Sequence, residues 1–329
     1  MGERDLWDVI VNNDDVCFKH ILPKLNQTDL KFLHDVNSET RAMIKRSSRE
    51  GELKKTFKIR EMSSISTLGF VWENRSLWPY WWNESNFCWR VADTNKLELL
   101  KWIREEKKCE WCAGTIDMAA QQGNLEMVKY CVANKCHMDE WTCANAARNG
   151  HLECLKYLHE EAKALWDSET AARAAQNGHL HILEYLVERE YKYFHADACR
   201  CAARNGHLDC LKFLHETAKA PWDWMTAKYA AENGHLHILK YLIERKYDKF
   251  RADTCLCAAM NGHLDCLKFL HETAKAPWNS RAVQDAYFHF ELECLQYLVD
   301  NNCPLPEGWK FENGRIRMCA SSSPSSSSS

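Results

Sequence analysis

The 329-residue sequence predicts an all-α fold: an α-solenoid of about eight helix-pair repeats behind a small helical N-terminal region. Three observations carry this. The tripeptide Asn-Gly-His recurs at 149–151, 177–179, 205–207, 233–235 and 261–263, always 28 residues apart, and a fixed period of this size marks a stacked-repeat architecture. The leucine after each of these histidines extends the register both ways, to Leu125 (27 residues before Leu152) and Leu97 upstream and to Leu292 downstream, so that Leu97, Leu125, Leu152, Leu180, Leu208, Leu236, Leu264 and Leu292 mark eight units. Only 12 Gly and 7 Pro occur, too few for the many tight turns of an all-β chain.

Each unit reads as two short helices. In the fifth, ACRCAARN at 198–205 is rich in Ala, a strong helix former. Asn205-Gly206 then breaks the run, because Gly accepts the positive φ that ends a helix. In HLDCLKFLHE at 207–216, Leu208, Leu211 and Leu214 form one apolar stripe. A pair this short cannot bury its own apolar face, so neighbouring units must share a core. Units alternate between GHLDCLKFLHE and GHLHILKYLIE types, which doubles the period to 56; Trp166, Trp222 and Trp278 recur at that spacing, as do His159, His215 and His271.

The stretch AARNGHLECLKYLHE at 146–160 and its copies resemble the ankyrin repeat: an Ala-Ala pair, a Gly-His turn and a Leu-rich second helix, in the family's order. The resemblance covers about residues 86–303. It implies a non-catalytic scaffold that binds a protein partner, with the first helices lining the binding surface. Two features depart from the family. Trp141-Thr142-Cys143-Ala144 stands where Thr-Pro-Leu-His is usual, and the period is 28 rather than 33. The shorter connection predicts blunt loops in place of projecting fingers.

The ends differ from the middle. In the last unit Phe290 and Glu291 replace Gly and His, as expected of an atypical capping repeat. Residues 61–73 read as a degenerate half-repeat closing the other end, with Trp78, Tyr80, Trp81 and Trp82 packed on it. Asn313-Gly314 between FE and RIRM predicts a small hairpin, and the SSSPSSSSS after it a disordered tail. Three regions follow: 1–56, helical; 57–312, the solenoid with its caps; and 313–329, hairpin and tail.

Residues 14–46 fall outside the repeat and carry apolar positions for two or three short helices. Their order resembles an F-box: Ile21-Leu22 and Leu25, then Thr-Asp-Leu30, then Val-Asn-Ser-x-x-Arg. The usual Trp after that Arg is missing. The resemblance implies a substrate receptor of a ubiquitin ligase, with Ile21, Leu22, Leu25 and Leu30 on a Skp1-like adaptor and the repeats on the target. The alternative is a structural cap for the solenoid.

The charge sum, 43 − 46 = −3, disfavours a dedicated nucleic-acid binder. No apolar run approaches the ~18 residues of a membrane span. The N-terminus MGERDLWDVI lacks the pattern of a signal peptide, and 17 Cys is an odd count, so reduced thiols in the cytoplasm or nucleus are expected. The repeated histidines form a ladder rather than a converging set of metal ligands, and are read as bonding across their own turns. Cys109 and Cys112 have knuckle spacing without a second pair, and Cys109, Cys136 and Cys303 share one repeat position. No nucleophile–base set, phosphate loop or HExxH is present. The expectation is therefore no enzyme, no cofactor and no metal.

The remaining signal lies in the first helices. Over 24 positions, 199–222 and 255–278 differ only where Arg200 becomes Leu256 and Arg204 becomes Met260. The pair is one turn apart on one helix face. Arg173, Arg200, Arg204, Lys228, Tyr229, Glu232, Leu256 and Met260 are the candidate partner-binding residues, on a surface expected to run from basic to apolar. The loop aromatics Trp166, Trp222, Trp278, Tyr191, Phe194, Tyr247 and Phe250 read either as packing against the neighbouring unit or as exposed anchors.

Overall fold

A computed structural model describes residues 17–25, 30, 33–34, 38–49, 58–62, 64–75, 78, 82–312 and 315–318. Two compact units are distinguished: residues 1–146 with 153–165, and residues 147–152 with 166–329.

The first unit begins with a π-helical turn at Cys17–Ile21 and a 3-10 turn at Leu22–Lys24, followed by α1 (Ser38–Arg46). Leu22, Leu30, Met43 and Ile44 form a small core of their own, with Phe18, Leu25 and Leu33 packed against it. Arg49 Nη1 donates to the carbonyls of Leu22 and, at 2.9 Å, Leu25, which ties off the turn. Next, α2 (Ile65–Glu73) starts where Ser64 Oγ accepts from the Thr67 N–H. The expected aromatic cluster forms on this helix. Trp78 Nε1 donates to Val71 O at 2.8 Å, and the Trp78 ring lies 5.6 Å from Trp72 and 4.7 Å from Phe87. Trp82 joins at 6.3 Å from Trp78, while Tyr80 and Trp81 lie outside the described residues.

Helix pairs then follow in sequence. They are α3 (Glu84–Ala92) with α4 (Leu97–Glu105), α5 (Ala113–Gln122) with α6 (Leu125–Ala133), and α7 (Glu140–Arg148) with α8 (Leu152–Lys156). A π-helical turn at Tyr157–Glu161 extends α8. In the first unit α3 packs on α4 and α5, α5 on α6, and α2 on α4.

The second unit continues with α9 (Ser168–Gln176) and α10 (Leu180–Glu188), α11 (Ala196–Arg204) and α12 (Leu208–Glu216), α13 (Trp224–Glu232) and α14 (Leu236–Glu244). The last two pairs are α15 (Ala252–Met260) with α16 (Leu264–Glu272) and α17 (Ser280–Phe288) with α18 (Leu292–Asp300). The described residues therefore carry the eight helix pairs that the period predicts. First helices stack as α9–α11–α13–α15–α17, and second helices pack α10 on α12, α14 on α16 and α16 on α18. Ala at the contacts, such as Ala202, Ala203, Ala230 and Ala231, lets first helices approach closely, while Leu211, Leu214, Leu239 and Leu242 fill the space beneath.

Starts and stops follow local chemistry. Asp167, Asp223 and Asn279 cap α9, α13 and α17 by accepting the N–H of Glu169, Met225 and Arg281 at 3.0–3.2 Å. First helices end at a left-handed residue, Gly in the interior and Phe290 after α17. After α18, β1 (Trp309–Glu312) and β2 (Arg315–Met318) pair antiparallel, Glu312 opposite Arg315. The hairpin thus takes its first strand from before residue 313, and residues 319–329 lie outside the described residues. Among the described residues no helix is long and apolar enough to cross a membrane.

Candidate partner-binding face

The Gly-His pairs work between repeats, not across their own turns as the sequence suggested. His179 Nε2–H donates to Arg148 O at 3.0 Å, His235 to Arg204 O at 3.0 Å, and His263 to Glu232 O at 3.1 Å, each acceptor 31 residues back. The imidazole therefore lies over the glycine of the preceding repeat. A Cβ on Gly178 would meet His207 Nδ1 at 2.7 Å, and one on Gly206 would meet His235 Cε1 at 2.8 Å. Glycine is required at these positions for its φ of +76° and +79° and for this approach. Burial pushes the His179 and His235 pKa values below the usual imidazole range.

The loop aromatics join neighbouring repeats. Trp222 stacks on His215 at 3.5 Å and meets Tyr241 and Tyr247 edge-on at 6.3 and 5.7 Å. Tyr247 Oη donates to Asp223 O at 2.7 Å, and Tyr191 makes the same bond to Asp167 O. Phe250 and Phe194 pack on these tyrosines. Of the two readings, inter-repeat packing describes these contacts. Cys109, Cys136 and Cys303 take the tyrosines' place elsewhere: each Sγ–H donates to a carbonyl at the start of its own unit's first helix, Glu84, Cys112 and Asn279, at 3.2–3.5 Å. Among the described residues no three His, Cys, Asp or Glu side chains converge on a metal-sized site.

On the first-helix face, the expected basic end is largely neutralised from within. Arg200 Nε lies 3.1 Å from both Asp223 oxygens, Nη2 also donates to Asp223, and Nη1 reaches Asp197 Oδ1 at 2.6 Å. The hydrogen bonds from Arg200 hold the Asp223 carboxyl below the usual carboxylate range. Arg173 pairs with Glu169 at 3.1 Å and donates to Gln176 at 2.8 Å. Arg204 lies over the Tyr229 ring at 4.7 Å and 3.7 Å from Glu232. The expected apolar end is largely closed: Leu256 is 7 % exposed, a shorter side chain that stays among the stacked first helices, and Met260 is half-buried.

What the face does present is a row of alternating cations and rings. Tyr229 is flanked by Arg204 and, at 5.7 Å, by Lys228. Lys228 lies 5.9 Å from Trp224, whose other neighbour is Arg251 at 4.7 Å. All five side chains are exposed or half-buried. Trp224 and Arg251 were missed because they stand at the start of α13 and at the N-cap of α15, away from the outward positions further along the first helices, and their meeting requires those two N-termini to be adjacent. In the N-terminal region, Leu22 and Leu30 are buried in their own small core, so they are not open to an adaptor as expected. Leu25 is half-buried, and the side chain of Ile21 lies outside the described residues.

A family model described as ankyrin repeats (3 copies) matches residues 116–197, 145–220, 171–253, 199–282 and 227–307, more than half of the chain in all. No curated protein sequence matches. Among solved structures, the human ASB11 ankyrin repeat domain is similar at 18% identity over 52% of this chain and 90% of that one, with a TM-score of 0.41. The maize pentatricopeptide repeat protein PPR10 is similar at 12% identity over 74% of this chain and 43% of that one, with a TM-score of 0.31.

Proposed function

Because the chain belongs to the ankyrin-repeat family, we propose that it is a non-catalytic protein–protein interaction scaffold whose second unit presents the first-helix face to a protein partner. The observation that carries this reading is the row Arg204–Tyr229–Lys228–Trp224–Arg251. Aromatic and Arg side chains held in place by their neighbours are the residue types that dominate binding energy at protein interfaces. Arg173, Glu232 and Met260 are half-buried on the same stack of first helices, while Arg200 is tied to Asp223 and Asp197 and Leu256 is buried. Affinity purification of the full chain followed by mass spectrometry tests the reading. A Lys228→Glu/Arg251→Glu variant, altered at one half-buried and one exposed position, is expected to lose a partner that the unmodified chain retains. An unchanged partner list would remove the face from the account.

A second reading, a ubiquitin-ligase substrate receptor, draws support from the separate four-residue core of the N-terminal region and from half-buried Leu25 beside it. It predicts that Leu25→Asp abolishes recovery of a Skp1-like adaptor while repeat helicity is kept. Failure of the unmodified chain to recover an adaptor would dispose of it.

A further inference from the structure

Among the described residues, the last repeat presents an apolar outer face and not a polar cover. Phe288 is 54 %, Phe290 82 % and Leu292 71 % exposed. Beside them a cleft of about 640 Å³ runs between α18 and the hairpin, with Leu295 and Val299 on one wall and Phe311 and Ile316 on the other. Three departures from the repeat all remove charge or add apolar surface here. Phe288 stands where the earlier units have Glu232 and Met260, Phe290 where they have glycine, and Gln296 where they have Lys240 and Lys268. In α14 and α16 the leucines equivalent to Leu295, Leu239 and Leu267, are buried; Leu295 is only half-buried. The Leu292–Leu295–Val299 stripe is therefore the surface that interior repeats cover with the next second helix, left open.

A ninth pair in the ordinary register is not what would cover it. Phe290 holds the left-handed φ of +62° with a full side chain on the spot where interior glycines admit the next repeat's imidazole. The charges bordering the cleft indicate a different occupant. Glu293 and Asp300 follow the Gln296 edge of α18, at i and i+7 on one side of the stripe, while Arg315 lines the opposite wall. An acidic edge and a basic edge on either side of an apolar centre are complementary to their own two-fold image. We propose that the C-terminal face centred on Phe290 and Leu292 is an isologous interface with a second copy of this chain, the Glu293 edge of one copy meeting the Arg315 edge of the other.

Sedimentation equilibrium of the full chain is the test, and it needs no partner, so its outcome is separate from that of the scaffold reading. A concentration-dependent dimer is expected. Phe290→Gln with Leu292→Gln, both at exposed positions, should raise its Kd about a hundredfold while circular dichroism is unchanged. If that variant loses helicity, Glu293→Lys and Arg315→Glu serve instead: each alone should self-associate more weakly, and an equimolar mixture should recover the dimer. A full chain still monomeric at about 100 µM would overturn the proposal. So would a dimer indifferent to the apolar substitutions, or a mixture of the charge variants that associates no better than either alone.

Discussion

Residues 199–232 and 255–288 are two copies of one design that solve the same packing problem differently. Their second helices, LDCLKFLHE at 208–216 and 264–272, are identical. On the first-helix side, Arg200, Arg204, Asp223 and Glu232 in one copy correspond to Leu256, Met260, Asn279 and Phe288 in the other. These four positions are two contacting pairs: Arg200 with Asp223, and Arg204 with Glu232 at 3.7 Å. Each pair is ionic in one copy and uncharged in the other, within a stretch where 223–232 and 279–288 agree only at Ala230 and Ala286; both capping residues keep an oxygen for the helix N-terminus. A difference between Arg and Leu thus reports first on the neighbouring repeat, and only secondarily on what an outside partner meets.

Substitution at the shared core should erase the difference between the copies. Leu211 and Leu267 are both fully buried, and Leu→Ala at either is expected to cost about 2–5 kcal/mol, equally in the two copies, as a cavity under the stack. Denaturant unfolding checks this, and a cost under about 0.5 kcal/mol at one of them would show that the copies are not packed alike. Gly206→Ala comes next, at roughly 2–4 kcal/mol, because it combines a left-handed φ with a clash against His235. Trimming His235 to Ala in the same chain should return part of that loss; no return would mean that the imidazole is not what the glycine accommodates.

The caps separate the copies. Asn279→Ala removes a cap alone and should cost about 1 kcal/mol. Asp223→Ala removes a cap and also breaks the Asp223–Arg200 pair, leaving Arg200 to Asp197, and should cost up to about 1 kcal/mol more. Equal costs would deny the ion pair any role.

Acids in the two units should respond to pH with opposite sign. Asp223, its pKa lowered by Arg200, stabilises the fold above the unfolded carboxyl value, and this contribution is lost as pH falls through its folded pKa. Asp117 accepts from Thr142 Oγ1 at 2.6 Å, and burial raises its pKa to about 6. Its folded form binds the proton more tightly, so stability falls as pH rises from about 4 to about 6. Asp117→Asn should accordingly gain up to about 1 kcal/mol at pH 7, after allowance for solvent screening, and nothing at pH 4. A gain of equal size at both pH values would remove the ionisation from the explanation.

Much of the fold was legible because a 28-residue period repeats every choice the chain makes: Ala for close helices, Gly for the stop, Leu for the stripe. What escaped were relations between repeats. The acceptor of His235 is a carbonyl 31 residues back, and the partner of Arg200 is a capping Asp 23 residues on. Neither follows from the composition of one unit. Arg200 and Arg204 were chosen because they vary on one helix face, a signal that finds a surface but does not separate an external partner from an internal one. The last repeat was visible as an irregularity, with Phe290 and Glu291 in place of Gly and His; the exposure of Phe288, Phe290 and Leu292 was not.

The measurement that bears most directly on the paired exchange between copies is a double-mutant cycle of Arg200→Leu and Asp223→Asn, followed by denaturant unfolding or by hydrogen exchange of α11 and α13. Each single change breaks the Arg200–Asp223 pair, whereas the double change recreates what the other copy already contains at Leu256 and Asn279. The prediction is that the double variant is more stable than the sum of the singles by about 1 kcal/mol or more. Additivity within about 0.3 kcal/mol would contradict it, and would return the Arg-to-Leu difference to an independent surface.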